Sequence, residues 1–186
     1  VTIPNVTASK LEEKRVLTVA RFTYQKGLDL LLNIWKIVCT KFPDWKLVII
    51  GDGELKNELL KQREIYGLTE TVEILEPTNH ISEIYAKTSI YAMPSRFEGM
   101  PLVLIEAKNF GIPIVSFDCE TGPRDIVKHN EDGILVEPFN IVSFATSLMK
   151  LMGDQSLRNK YGNNALSDLE RFTLSSFVDK WIDALE

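Results

Sequence analysis

The chain has 186 residues, 45% apolar and 25% charged, with a net charge of −5. That length suits one well-packed domain and is short for two. The acidic balance gives no electrostatic support to nucleic-acid binding, which calls for a basic surplus or stripe, and no apolar run approaches the ~18–20 residues that span a bilayer. Nothing reads as a signal peptide, and the start on Val1 rather than Met leads us to expect a piece of a longer protein. Cys39 and Cys119 stand in apolar contexts and read as reduced core thiols. His80 and His129 have no ligand pair nearby, so a structural zinc site is not expected.

Short β-branched runs alternate with longer amphipathic stretches, the pattern of βαβ units on a parallel sheet. Arg15–Ala20 reads as the first strand, followed by a helix whose Leu28, Leu31, Leu32, Trp35 and Val38 recur at helical spacing. Trp45–Ile50 reads as a strand, Glu54–Tyr66 as a helix ending at Gly67, and Val72–Leu75 as a short strand. A short helix over Ile81–Ala86 and a strand over Ser89–Met93 follow, the latter stopped by Pro94. Pro101–Phe110 is predicted helical, with Pro101 in its first turn, where a missing N–H costs nothing, and Gly111 at its end. The remaining elements are a strand over Ile112–Phe117 with Pro113 near its start, a helix from Gly122 to Lys128, a strand over Gly133–Val136, and helices from Ile141 onward. Breaks are expected near Gly153-Asp154 and Phe172-Thr173. A last helix, Leu174–Leu185, carries Phe177, Trp181 and Leu185 as a stripe that covers either its own sheet or a partner domain. The fold class is therefore α/β: a Rossmann-like parallel sheet of about six strands flanked by helices, one domain over residues 1–186.

Ligands of open parallel sheets bind beyond the carboxyl ends of the strands, and the unusual residues fall there. Arg21 and Gln25-Lys26-Gly27 follow the first strand, Gly51-Asp52-Gly53 the second, Ser95 to Gly99 the fourth, and Asp118 with Thr121-Gly122-Pro123 the fifth. Two cations and a helix N-terminus converging on one edge would make a diphosphate site, with Arg as a planar fork and Lys as a compact charge. Glu98 and Glu106 stand eight positions apart. A carboxylate inside the apolar helix needs donor partners, and the vicinal diol of a sugar supplies two. Each residue also has a plainer reading. Arg21 fits a strand-end ion pair, Lys26 a solvated loop lysine, Glu98 an exposed loop residue, Glu106 a solvated position, and Gly51-Asp52-Gly53 a tight turn. Gly99 fits either a positive φ or a close approach of ligand to backbone.

These residues resemble the C-terminal, donor-binding domain of retaining GT-B glycosyltransferases, the group 1 (GT4) family. Ile3-Pro4-Asn5 resembles the opening of that domain. Val19-Ala20-Arg21-Phe22 with Gln25-Lys26-Gly27 is similar to the family's glycine-arginine and lysine-glycine signature, with Ala20 in place of Gly. Ser95-Arg96-Phe97-Glu98-Gly99-Met100-Pro101 through Glu106-Ala107 resembles its E-x7-E element, and Gly51-Asp52-Gly53-Glu54, Gly111–Val115 and Gly133–Val136 resemble its neighbouring blocks. The resemblance implies that Arg21 and Lys26 hold the diphosphate of a nucleotide-sugar, that Glu98 acts on the donor sugar as the catalytic carboxylate, that the Gly99-Met100-Pro101-Leu102 segment cradles a phosphate through its free amides, Pro101 having none, and that Glu106 holds ribose hydroxyls. It implies no cofactor and no required metal, a UDP-sugar as donor, and a glycan or glycolipid acceptor bound through an N-terminal domain that would precede Val1. It places the full-length protein in the cytoplasm or at the inner membrane face, and implies that the fragment alone transfers no sugar. Two departures stand out: Glu76-Pro77 where the family commonly has Gly in the base pocket, and Arg124-Asp125 after Thr121-Gly122-Pro123. A GT-B nucleotide-sugar epimerase and a noncatalytic Rossmann-like module are the alternatives.

Overall fold

A computed structural model describes residues 6–173 and 175–176. Six strands form one parallel sheet: β1 Arg15–Val19, β2 Lys46–Ile50, β3 Val72–Leu75, β4 Ile90–Met93, β5 Ile114–Phe117 and β6 Gly133–Val136. Their spatial order is β3-β2-β1-β4-β5-β6. The chain runs outward from β1 to β3, then returns to the other side of β1 to lay down β4, which makes the β1/β4 boundary the switch point where open α/β sheets form a crevice.

The helices are α1 Leu28–Val38, α2 Lys56–Ile65, α3 Ile81–Ala86, α4 Leu102–Asn109, α5 Pro123–Ile126, α6 Ile141–Gly153 and α7 Gln155–Ser167, with 3-10 turns at Tyr24–Lys26 and Asp168–Phe172. The two-residue alternation of the strands divides the core into two layers. Val16, Leu47, Ile49, Ile90, Ala92, Val115 and Phe117 pack on one face with Leu31, Trp35, Phe144 and Leu148 from α1 and α6. Leu17, Val48, Ile50, Tyr91, Met93 and Ile114 pack on the other with Tyr85 from α3 and Leu104, Ile105 and Ala107 from α4.

The strands expected over Val72–Leu75 and Gly133–Val136, and the helix over Ile81–Ala86, match residue for residue. The expected Gly122–Lys128 helix shrinks to one turn, because Val127 is already extended at φ −98°, ψ 125°. Pro101 caps α4 at φ −77°, ψ 87° instead of entering its first turn. Cys119 is buried as expected, whereas Cys39, at the C-terminal end of α1, is half-exposed rather than a core thiol. The stripe of Phe177, Trp181 and Leu185 and the Ile3-Pro4-Asn5 segment lie outside the described residues.

Candidate functional site at the switch point

A cavity of about 630 Å³ opens at the carboxyl ends of β1 and β2, lined by Arg21, Lys26, Gly51, Asp52, Thr78 and Glu106 among others. Val19, Ala20 and Ile50 form its floor, and Pro77, Ile81 and Val103 its apolar walls. It thus joins the end of β1, the loop after β2, the start of α3 and the first turn of α4.

Close backbone approaches set this geometry. At Gly27, φ is +63° and a Cβ would stand 2.1 Å from the Pro94 carbonyl oxygen. Only glycine lets the β1–α1 loop sit this tightly against the end of β4. The same two loops are stitched by Arg96 N–H donating to Gln25 O (2.8 Å) and Gln25 Nε2 donating to Phe97 O (3.0 Å). The Arg96 guanidinium forks onto Asp29 at 2.8 and 2.7 Å and lies 4.0 Å from the Tyr24 ring centroid. Gly51 approaches the Ala20 carbonyl in the same manner, its would-be Cβ 1.9 Å from that oxygen. The Gly51-Asp52-Gly53 turn is therefore a packed part of the cavity wall rather than a plain surface turn.

Arg21 is exposed, lines the cavity, and is absent from every ion pair found among the described residues, so the strand-end pair does not form. Lys26 is not a solvated loop lysine: its Nζ donates to Glu98 Oε1 at 2.7 Å, with side-chain exposures of 17% and 5%. Glu98 is accordingly buried rather than exposed, and it does not line the main cavity. It closes a neighbouring recess of about 10 Å³ that shares Val19, Ala20, Lys26 and Val103 with the larger one. Lys26 stands between the two spaces.

Glu106 reaches the cavity from α4 and accepts a hydrogen bond from the Tyr85 hydroxyl at 3.1 Å. Burial pushes the Tyr85 phenol well above its ordinary pKa, and the nearby Tyr91 and Glu106 add to this. Tyr85 is thus a neutral donor at physiological pH. Tyr91, raised by burial as well, bonds both N–H and C=O of Val19 through its hydroxyl, each at 3.1 Å, and so pins the end of β1.

Gly99, Met100, Pro101 and Leu102 lie just outside the cavity lining. Met100 and Leu102 point to solvent, 64% and 44% exposed. Gly99 does not have a positive φ, and a Cβ there would meet nothing within 4 Å. The positive-φ reading of Gly99 therefore does not hold. No side chain caps the N-terminus of α4. The loop after β5 holds this segment from behind: Thr121 Oγ1 donates to the Glu98 carbonyl, and a Cβ on Gly122 would stand 2.5 Å from Gly99 O. Among the described residues, no three His, Cys, Asp or Glu side chains gather as a metal site, and no helix is long and apolar enough to cross a membrane.

Sequence reasoning missed Tyr85 and the Asp29–Arg96–Tyr24 clasp. Arg96 lies inside the motif it singled out, but nothing in the spacing points to an acid 67 positions earlier.

The fold is that of a Rossmann-like α/β domain, doubly wound about β1 and β4. Residues 2–168 match the family model described as glycosyl transferases group 1. The chain belongs to that family. It is 42% identical over 174 residues to the amylovoran biosynthesis glycosyltransferase of Erwinia amylovora, covering 94% of this chain and 48% of that protein. Among solved structures, a mutant of S. aureus TarM in complex with fondaparinux, alpha-GlcNAc-glycerol and UDP superposes with a TM-score of 0.88 at 27% identity, over 98% of this chain and 36% of that one. The C-terminal domain of a group 1 family protein from Francisella tularensis shares the fold, with a TM-score of 0.76 at 24% identity over 91% of this chain and 89% of that one. The chain therefore spans about half the length of the curated relative and about a third of TarM.

Proposed function

We propose that this chain is the donor-binding half of a retaining glycosyltransferase. The donor is a nucleotide diphosphate sugar, UDP-linked by preference, and the transferred group is a hexose-type sugar. The observation that carries this reading is the joint presence of Arg21, Lys26 and Glu106 on one cavity beside the uncapped start of α4. Two cations and a helix N-terminus favour a diphosphate, and a carboxylate already fixed on one side by Tyr85 keeps acceptor capacity for ribose hydroxyls. TarM, the 27%-identical structural relative, is bound to UDP, which supports UDP as the first nucleotide to test.

In this reading Arg21 and Lys26 neutralise the diphosphate as it departs, and the N–H groups of Gly99, Met100 and Leu102 add donors on the other side. Glu98 receives sugar hydroxyls. Attack comes from the leaving-group face and the departing phosphate takes the acceptor proton, so catalysis is charge stabilisation and positioning without a required metal. The acceptor is a glycan or glycolipid of bacterial surface polysaccharide synthesis, held by an N-terminal domain outside this chain. The chain alone then binds donor and transfers nothing.

Thermal shift against a panel of nucleotide-sugars tests the reading, since a ligand that binds only the folded state raises its apparent stability with occupancy. UDP and at least one UDP-sugar should raise the melting temperature in a saturable way. A panel in which no nucleoside diphosphate or nucleotide-sugar shifts it at millimolar concentration refutes the proposal. Sugar transfer by the isolated chain at an enzyme-like rate refutes the half-site reading.

A further inference from the structure

We infer that the Lys26–Glu98 ion pair makes this site prefer a glycosylated nucleotide over the bare nucleoside diphosphate. The inference rests on the donor-site reading above and adds a selection rule to it. Glu98 has its carboxylate almost out of solvent, and its one ion pair among the described residues is with Lys26. Lys26 Nζ is shared property: it lines the main cavity, where a diphosphate fits, and it also closes the small recess that holds Glu98. That recess has room for about one water and none for a sugar ring.

A diphosphate entering the main cavity draws on the donors of Lys26 and brings negative charge towards Glu98. A buried carboxylate that loses its cation is strongly destabilised. A sugar attached to the β-phosphate relieves this, because its hydroxyls donate to the carboxylate as Lys26 turns away and opens the recess. Bare UDP has no group to offer there. Glu98 therefore opposes the free diphosphate more than the intact donor, which selects substrate on entry and weakens the hold on the product after transfer.

The test is calorimetric titration of UDP, and in parallel GDP, into the chain and its Glu98→Gln, Lys26→Met and double variants, with circular dichroism and melting as fold controls. Gln keeps the shape and removes the charge. Glu98→Gln should bind the diphosphate about tenfold more tightly than the unaltered chain, and the gain should shrink in the Lys26→Met background, where only the direct repulsion between carboxylate and phosphate remains. Any UDP-sugar that outcompetes UDP on the unaltered chain should lose that advantage in Glu98→Gln. Equal or weaker diphosphate binding by a folded Glu98→Gln, or a gain of the same size without Lys26, overturns the inference; Glu98→Ala serves if the Gln variant melts early. Binding by the unaltered chain with no gain in the variant sinks this inference alone. If neither protein binds UDP or GDP at millimolar concentration, the donor-site reading falls and this inference with it.

Discussion

Glu106 sits on a helix most of whose other side chains are withdrawn from water: Leu104, Ile105, Ala107, Lys108 and Asn109 are buried. Its usefulness in a binding site depends on the carboxylate pointing one way, and Tyr85 fixes that direction at Oε2. The Tyr85 ring is held in turn by stacking on Phe110 (5.0 Å between centroids) and Tyr91 (6.1 Å). In Tyr85→Phe the ring packing survives while the donor is lost. UDP affinity should drop by about 0.5–1.5 kcal/mol, the net worth of one hydrogen bond, with little change in melting temperature. Calorimetry reads this directly, and an unaltered affinity would mean Glu106 is set by something else. Because burial holds the Tyr85 phenol well above its ordinary pKa, it stays a donor throughout the physiological range and adds no pH dependence of its own there.

At the scale of elements, the site is a junction of loops held together by backbone contacts. The β1–α1 loop meets the end of β4 at Gly27, and the loop after β5 meets the start of α4 at Gly122. Gly27→Ala combines a positive φ of +63° with a Cβ 2.1 Å from Pro94 O. It should cost more than about 1 kcal/mol of stability and weaken UDP binding as well, since Lys26 is the adjacent residue. Urea unfolding measures the first effect; a loss under about 0.5 kcal/mol would contradict the close-approach account. Much of this layer was legible in sequence. β-branched runs gave the strands because both faces of the sheet are buried, and Gly67 and Gly111 marked helix ends through their positive φ. The convergence of Arg21, Lys26 and Glu106 was legible because strand-end position fixes where a loop residue goes. Side-chain pairing was not. Lys26–Glu98, Arg96–Asp29 and Tyr85–Glu106 join residues 72, 67 and 21 apart, and no local pattern encodes such meetings. Strand-end position alone puts Glu98 on the same crevice as the others, whereas its pairing with Lys26 draws it into the neighbouring recess.

The whole molecule is closed on its far side by a charge cluster with no counterpart in the sequence reading. Lys108, wholly buried on α4, pairs with Asp132 at 2.8 Å and with Asp168, which also receives Lys128 and Arg171. Arg171 donates further to the carbonyls of Asp125 and Ile126 and lies 4.2 Å over the Phe172 ring. The cluster ties the 3-10 turn at Asp168–Phe172 to α4, α5 and the segment before β6. Burial alone would raise the pKa of Asp168, but hydrogen bonds from Lys108, Lys128 and Arg171 outweigh it and hold the group at about 2. Asp132 goes the other way, raised by burial with Lys108 only partly offsetting. For Asp168 the folded value lies below the unfolded value of about 3.9, so its contribution is full above pH ~4 and is lost as pH falls towards 2. The melting temperature of the unaltered chain should therefore fall more steeply between pH 4 and 2 than that of Asp168→Asn. Parallel slopes would contradict the assignment.

Arg21 and Glu106 reach one cavity from different elements, and in the proposed function they serve the same ligand. Calorimetric titration of UDP against the chain, Arg21→Ala and Glu106→Ala tests it most directly. Each variant should stay folded and lose roughly 1.5–3 kcal/mol of binding, the worth of a hydrogen bond to a charged group. Full affinity in either variant, with UDP bound by the unaltered chain, would place the nucleotide elsewhere and contradict the account.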